Sequence, residues 1–277
     1  MSPRSRKKDW CVCGARPSAV VMKRSLAVML MLIAATAALA ASDKQPAPPG
    51  SFAAAPPQYT SFSAAELQRG FMALAFGSDL RIGARPRGIR RYDHPIVARV
   101  IAGGSVDRGA AMTRIIQEYA DKVPNLHLTL AHDTAADLEV HLIDERNFKA
   151  ALRAAFGDEV TKTFVDRTNP QCMTSVKSSA GGAILHSVSF VIVDKGDAVF
   201  LDCAYHELLH AFGLSNHDQR NPWTTLNQNR MVGYLSVYDR DLLTILYDPR
   251  VTPGMTAADA RGVLRSVIGG FAPAAKP

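Results

Sequence analysis

The hydrophobic positions of this chain fall into short runs of two different periods. Ser63-Ala-Ala-Glu66 has the serine-to-acid spacing that closes a helix start, and Leu67, Phe71 and Leu74 follow at helical intervals. Ile96–Ile101 is a β-branched run begun after Pro95 and stopped by Gly103-Gly104, which predicts a strand. Val106–Val123 carries Ile115, Ile116 and Tyr119 on one helical side and meets Pro124 just beyond its end. Leu126–Leu130 and Leu138–Ile143 alternate with period two, as half-buried strands do. Asn147–Phe156 reads as a short helix closed by Gly157. Ile184–Val193 reads as a long apolar strand, and Ala198–Phe212 as a helix.

Interleaved helices and strands predict an α+β domain, a mixed twisted sheet with helices packed on it. Ile184–Val193 arrives just before the last of these helices. As an edge strand it would hold an extended peptide by main-chain hydrogen bonds; otherwise it is a plain core or edge strand.

Composition divides the chain. From Met22 it reads Lys23-Arg24, then an uncharged run rich in Ala, Leu, Met and Val to Ala41, with Ala38-Leu39-Ala40 as a small-x-small cleavage pattern. That is the layout of a signal peptide over residues 22–41, and it makes residues 1–21 an expected spurious N-terminal extension. Residues 42–60 hold five prolines among Ala, Ser and Gln and read as an extended linker. Residues 61–277 are then one domain. The expected location is periplasmic or secreted, with no stable membrane span once the leader is cleaved.

Charge follows the same division. Residues 1–41 carry seven Lys/Arg and one acid, so +6 of the formal +7 belongs to the leader. The rest is close to neutral, and no nucleic-acid partner is expected. The surviving basic cluster, Arg81, Arg85, Arg87, Arg90 and Arg91, reads as a solvated loop before a strand. Beyond the leader only Cys172 and Cys203 remain, and an even count in an exported chain favours a disulfide between them.

The chemistry concentrates in one place. His206-Glu207-Leu-Leu-His210 puts two imidazoles four residues apart, on one face of a helix, where they can share a metal ion. Glu207 lies beside them, where a carboxylate can take a proton from metal-activated water. Gly213 permits a sharp turn, and beyond it stand Asn216, His217 and Asp218. Neutral imidazole is the better zinc donor, so His217 is the expected third ligand, with Asp218 second and Asn216 weakest. Zn2+ is the expected cofactor, held by His206, His210 and His217, with Glu207 catalytic.

His206-Glu207-x-x-His210-x-x-Gly213 resembles the metzincin signature, in which a third ligand follows the glycine by three residues. Asn229–Tyr234 resembles that family's methionine turn, and Leu235-Ser-x-x-Asp239 through Leu246-Tyr247 its last helix. The resemblance implies a metzincin-like zincin fold with an active-site helix and C-terminal helices. It also implies Met231 as a hydrophobic floor under the metal and hydrolysis of a peptide or protein substrate. Tyr234 is either a donor to the oxyanion or a core tyrosine. Gly213-Leu-Ser-Asn216, Leu235–Arg240, Leu246–Arg250 and Pro253–Thr256 also resemble the proteobacterial exported proteins grouped as domain of unknown function 2927. That likeness implies the alternative, a non-catalytic envelope protein that keeps a zincin-like fold as a binding module.

Overall fold

The computed structural model describes residues 10–14, 61–76, 88–131, 135–165 and 170–270. The expected signal peptide and proline-rich linker lie outside them. In chain order the elements are β1 (Trp10–Gly14), α1 (Ala64–Phe76), β2 (Ile96–Ala102), α2 (Gly109–Lys122), β3 (Leu128–Leu130), β4 (Leu138–Ile143) and α3 (Glu145–Phe156). Short helical turns over 158–165 lead to β5 (Cys172–Ser178), β6 (Ile184–Ile192), α4 (Asp197–Ala211), α5 (Val237–Leu246) and α6 (Ala257–Gly269). Among the described residues no helix is long and apolar enough to cross a membrane.

The sheet runs β1-β5-β6-β4-β2-β3. Strands β2, β3, β4 and β6 are parallel; β5 is antiparallel to β6, and the backbone of β1 pairs antiparallel with β5. The expected α+β class with a mixed sheet is what forms. Ile184–Ile192 is not an edge strand: it pairs with β4 on one side and β5 on the other. Its last four residues are all buried, as a strand enclosed on both faces requires. The periodicity reading also passed over β5. Its first five residues, Cys172 to Val176, are buried without alternation, so two of them are hydroxylated side chains facing the interior.

The main core lies between the sheet and helices α1, α2, α4, α5 and α6; Phe71, Ile115, Leu208, Phe212 and Leu242 are all fully buried there. A smaller cluster sits on the other face under α3, where Phe148 and Leu152 meet Met173, Phe190 and Ile192.

Helix α4 is hydrophobic nearly all round, as a central helix should be. Four buried side chains donate to its carbonyls from four different elements. They are Tyr119 to Tyr205, Thr174 to Glu207, Ser187 to Ala211 and Tyr247 to Phe212, at 2.9 to 3.1 Å. The Cys172–Cys203 disulfide adds a covalent tie to β5, with Cα atoms 5.7 Å apart. Arg90 and Arg91 are not solvated. Arg90 is buried, and one Arg91 nitrogen donates to the carbonyls of Leu246, Asp248 and Val251, so this arginine closes the end of α5. Arg81, Arg85 and Arg87 lie outside the described residues.

Candidate metal centre

His206 and His210 project from the middle of α4, and both are 1% exposed. Their Nε2 atoms are 3.1 Å apart. His217 comes from the segment after the helix, and its Nε2 lies 3.1 Å from that of His206 and 3.2 Å from that of His210. Among the described residues this is the one group of three or more His, Cys, Asp or Glu side chains placed to share an ion.

The turn that delivers His217 follows from local rules. The Gly213 and Leu214 amides donate to the carbonyls of His210 and Leu209, the paired bonds that end a helix on a left-handed residue. Gly213 has φ +119°, and a Cβ there would lie 2.0 Å from the Arg90 carbonyl oxygen. Only glycine fits. The next two amides, Ser215 and Asn216, both donate to the Leu74 carbonyl of α1, and the Asn216 side chain donates to Ala73. Asn216 is thus an anchor on α1, and its neighbour His217 turns back to the helix. The Asp218 carboxylate accepts from the Arg220 amide. Of the three residues weighed for the third position, the structure brings His217 to the other histidines and commits Asn216 and Asp218 elsewhere.

The protonation of His206 and His210 is set from behind. His206 Nδ1 faces the Thr225 carbonyl at 2.8 Å, and His210 Nδ1 faces the Leu214 carbonyl at 2.6 Å. A carbonyl only accepts, so each Nδ1 carries its proton and each Nε2 turns a lone pair inward. Burial, then the neighbouring His217, pulls the pKa of His206 down to about 3. Burial and the two neighbouring imidazoles hold His210 well below its usual value. Neutral rings with converging lone pairs are the form that ligates a metal. A tetrahedral zinc with bonds of about 2.0–2.1 Å spaces its ligands by roughly 3.3–3.4 Å, close to the separations here. The donor set fits zinc.

Glu207, next in the helix, is fully buried, and among the described residues neither carboxylate oxygen has a hydrogen-bond partner. Burial pushes its pKa well up. The Thr174 hydroxyl, which bonds Ser189 and the Glu207 carbonyl, works against that shift, and Asp202 adds to it. A buried carboxylate with open lone pairs is costly, and such exceptions cluster at working sites.

Met231 is not a floor under the histidines. It is 56% exposed, on a segment held to α4 by the Val232 amide donating to the Asp202 carboxylate. The segment behind His206 is instead Thr224–Asn227, all four residues buried. Nothing in Thr-Thr-Leu-Asn marks it as such. Tyr234 packs against the main core. A groove of about 420 Å³ opens between α1 and the chain beyond His217, with Phe62, Arg69, Asp218, Trp223 and Tyr238 in its walls.

Compared with known families, residues 64–266 match the family described as protein of unknown function (DUF2927), and the chain belongs to that family. A comparison with curated proteins gives no match.

Proposed function

We propose that this member of the family is a zinc-dependent hydrolase of peptide bonds with a metzincin-like fold, exported to the periplasm or beyond. One observation carries the reading: three imidazole Nε2 atoms converge within 3.2 Å beside a buried Glu207 whose carboxylate, among the described residues, has no hydrogen-bond partner. Zinc bound there would supply a Lewis acid that polarises a carbonyl and makes water acidic enough to ionise near neutral pH.

His206, His210 and His217 hold the ion, and the carbonyls of Thr225 and Leu214 keep the first two rings in the ligating tautomer. Glu207 takes the proton of the attacking water and returns it to the leaving amine. The four side chains that donate to α4 carbonyls keep these residues from drifting. A disulfide between Cys172 and Cys203 and the leader-like pattern at residues 22–41 both support export.

A second reading is favoured by burial. The three histidines and Glu207 are at most 8% exposed, which suits a metal that stabilises a binding module instead of meeting a substrate. One experiment separates the two. The purified protein is analysed for zinc and assayed on denatured protein substrates, beside Glu207→Ala. The catalytic reading expects one zinc per chain in both proteins and a fall of about 10²–10⁴-fold in the variant's activity. Stoichiometric zinc with no activity in either protein supports the binding module. Absence of zinc, or equal activity in both proteins, overturns the catalytic reading.

A further inference from the structure

The carboxylate of Asp239 in α5 is fully buried, and among the described residues it has no ion-pair partner. Two adjacent residues hold it most closely, while the Ser236 hydroxyl at the start of the helix also favours its charge. Oδ1 accepts from the Thr224 hydroxyl at 2.5 Å, and Oδ2 accepts from the Thr225 amide at 2.9 Å and the Thr225 hydroxyl at 3.3 Å. The Thr224 oxygen in turn accepts from the Leu226 amide at 3.1 Å. That amide shares a peptide group with the Thr225 carbonyl, the acceptor facing His206 Nδ1 at 2.8 Å. One peptide unit is therefore held at its N–H end through Thr224 to Asp239, and at its C=O end it meets the imidazole.

Helix capping does not account for this carboxylate. Ser236-x-x-Asp239 and Thr256-x-x-Asp259 have the same spacing. At α6 the box is closed both ways, with Asp259 bonded back to the Thr256 amide. At α5 only the serine half forms, the Ser236 hydroxyl accepting from the Asp239 amide. The Asp239 side chain is turned to residues 224–225 instead. A buried acid without a cation is an expensive way to fix a loop. In a chain of polar groups each bond strengthens the next, and here the chain ends on a metal-facing imidazole.

We infer that Asp239 is a positioning residue of the metal centre: through Thr224 and the Thr225–Leu226 peptide it orients the carbonyl that fixes the tautomer and ring angle of His206. The inference rests on the zinc reading proposed above, and it predicts that metal affinity depends on a side chain that touches no ligand. Losing a partner behind a ligating histidine weakens metal binding by about 10- to 100-fold.

The test uses the full chain as wild type, Asp239→Ala, Asp239→Asn and Thr224→Val. Zinc affinity is measured by competition with a chromogenic chelator. The visible spectrum of the cobalt(II)-loaded protein and the thermal midpoint of the metal-free protein are recorded alongside. Asp239→Ala is expected to lose about 10- to 100-fold in zinc affinity and to shift the cobalt bands. Asp239→Asn keeps an acceptor for the Thr225 amide and should recover part of the loss. Thr224→Val removes the hydroxyl that joins Asp239 to the Leu226 amide, leaves the Thr225 bonds to Asp239 in place, and should weaken zinc in the same direction. If Asp239→Ala does not fold, the two milder variants carry the same comparison. Lower thermal midpoints with wild-type zinc affinity and cobalt spectra would make Asp239 a loop anchor only and overturn the inference. A wild type that binds neither metal stoichiometrically overturns the metal centre itself, and the inference with it.

Discussion

Replacing Cys172 and Cys203 together by alanine separates what the cross-link does for the fold from what it does for the helix that carries His206 and His210. The two residues are 31 apart in sequence, joining the first residue of β5 to α4 three residues before His206. In the chain-entropy account, opening a loop of this length releases roughly 3–4 kcal/mol of restraint on the unfolded chain. At a urea slope of about 2 kcal/mol/M, this moves the unfolding midpoint down by about 1.5–2 M. The thermal midpoint of a domain this size should fall by roughly 7–14 °C. Both half-cystines are buried, so the substitution also removes packed sulfur; unfolding the wild type with and without reductant isolates the cross-link itself. A loss below about 1 kcal/mol on reduction would refute the bridge as a restraint on the unfolded state.

The same protein tests the clamp on α4. Four side-chain donors still hold its carbonyls when the bridge is absent, so the histidines should keep their places. Zinc affinity at a temperature where the variant is folded is expected within about ten-fold of wild type. Zinc lost along with the bridge would show that the covalent tie, not the hydrogen-bonded frame, positions the site.

Three other substitutions probe the turn, a control glycine and a buried acid. Gly213→Ala sets a Cβ against the Arg90 carbonyl at φ +119°, whereas Gly157, at φ +86°, has open space around it. Gly157→Ala should cost only the positive-φ backbone, about 1–3 kcal/mol. Gly213→Ala should cost clearly more in thermal unfolding and also lose zinc, because His217 follows it; equal costs would refute the close approach. Asp202, largely enclosed, has its pKa raised from 3.8 to about 6 by burial, against the Val232 amide that favours its charge. A carboxyl raised on folding makes the native state lose stability as pH climbs from about 4 to about 6. Asp202→Asn should therefore be more stable than wild type at pH 7 by about 1–2 kcal/mol, allowing for solvent at its open edge, with the gap closing near pH 4. Urea unfolding at several pH values measures it, and a variant less stable at pH 7 counts against the assignment.

How far the molecule can be read from its residues depends on how local each cause is. Helix α1 starts where Ser63 and Glu66 sit, and β4 follows its alternation, because those signals act within a few positions. His206 and His210 share a face by helical geometry alone. Strand β5 escaped because alternation marks a strand with one wet face. Thr174 and Ser175 are instead buried in the sheet, and Thr174 bonds to Ser189. The methionine turn failed for a related reason. A methionine after a glycine-poor loop looks alike whether it packs or protrudes, and here the loop behind His206 is fixed by Asp239, some fourteen residues on.

The third histidine shows the limit most sharply. Counting from Gly213, the metzincin pattern puts a ligand at Asn216, and donor chemistry argued for His217. The offset of one residue comes from α1. Two consecutive amides, Ser215 and Asn216, both end on the Leu74 carbonyl, which draws the chain one residue further before it can return. That carbonyl lies about 140 residues earlier, so no window around the motif contains the cause. Ligand preference reached the residue that tertiary geometry selects because an imidazole is the one side chain among the three able to act as a neutral nitrogen donor. Where chemistry leaves one good candidate, it can stand in for a turn that cannot be read.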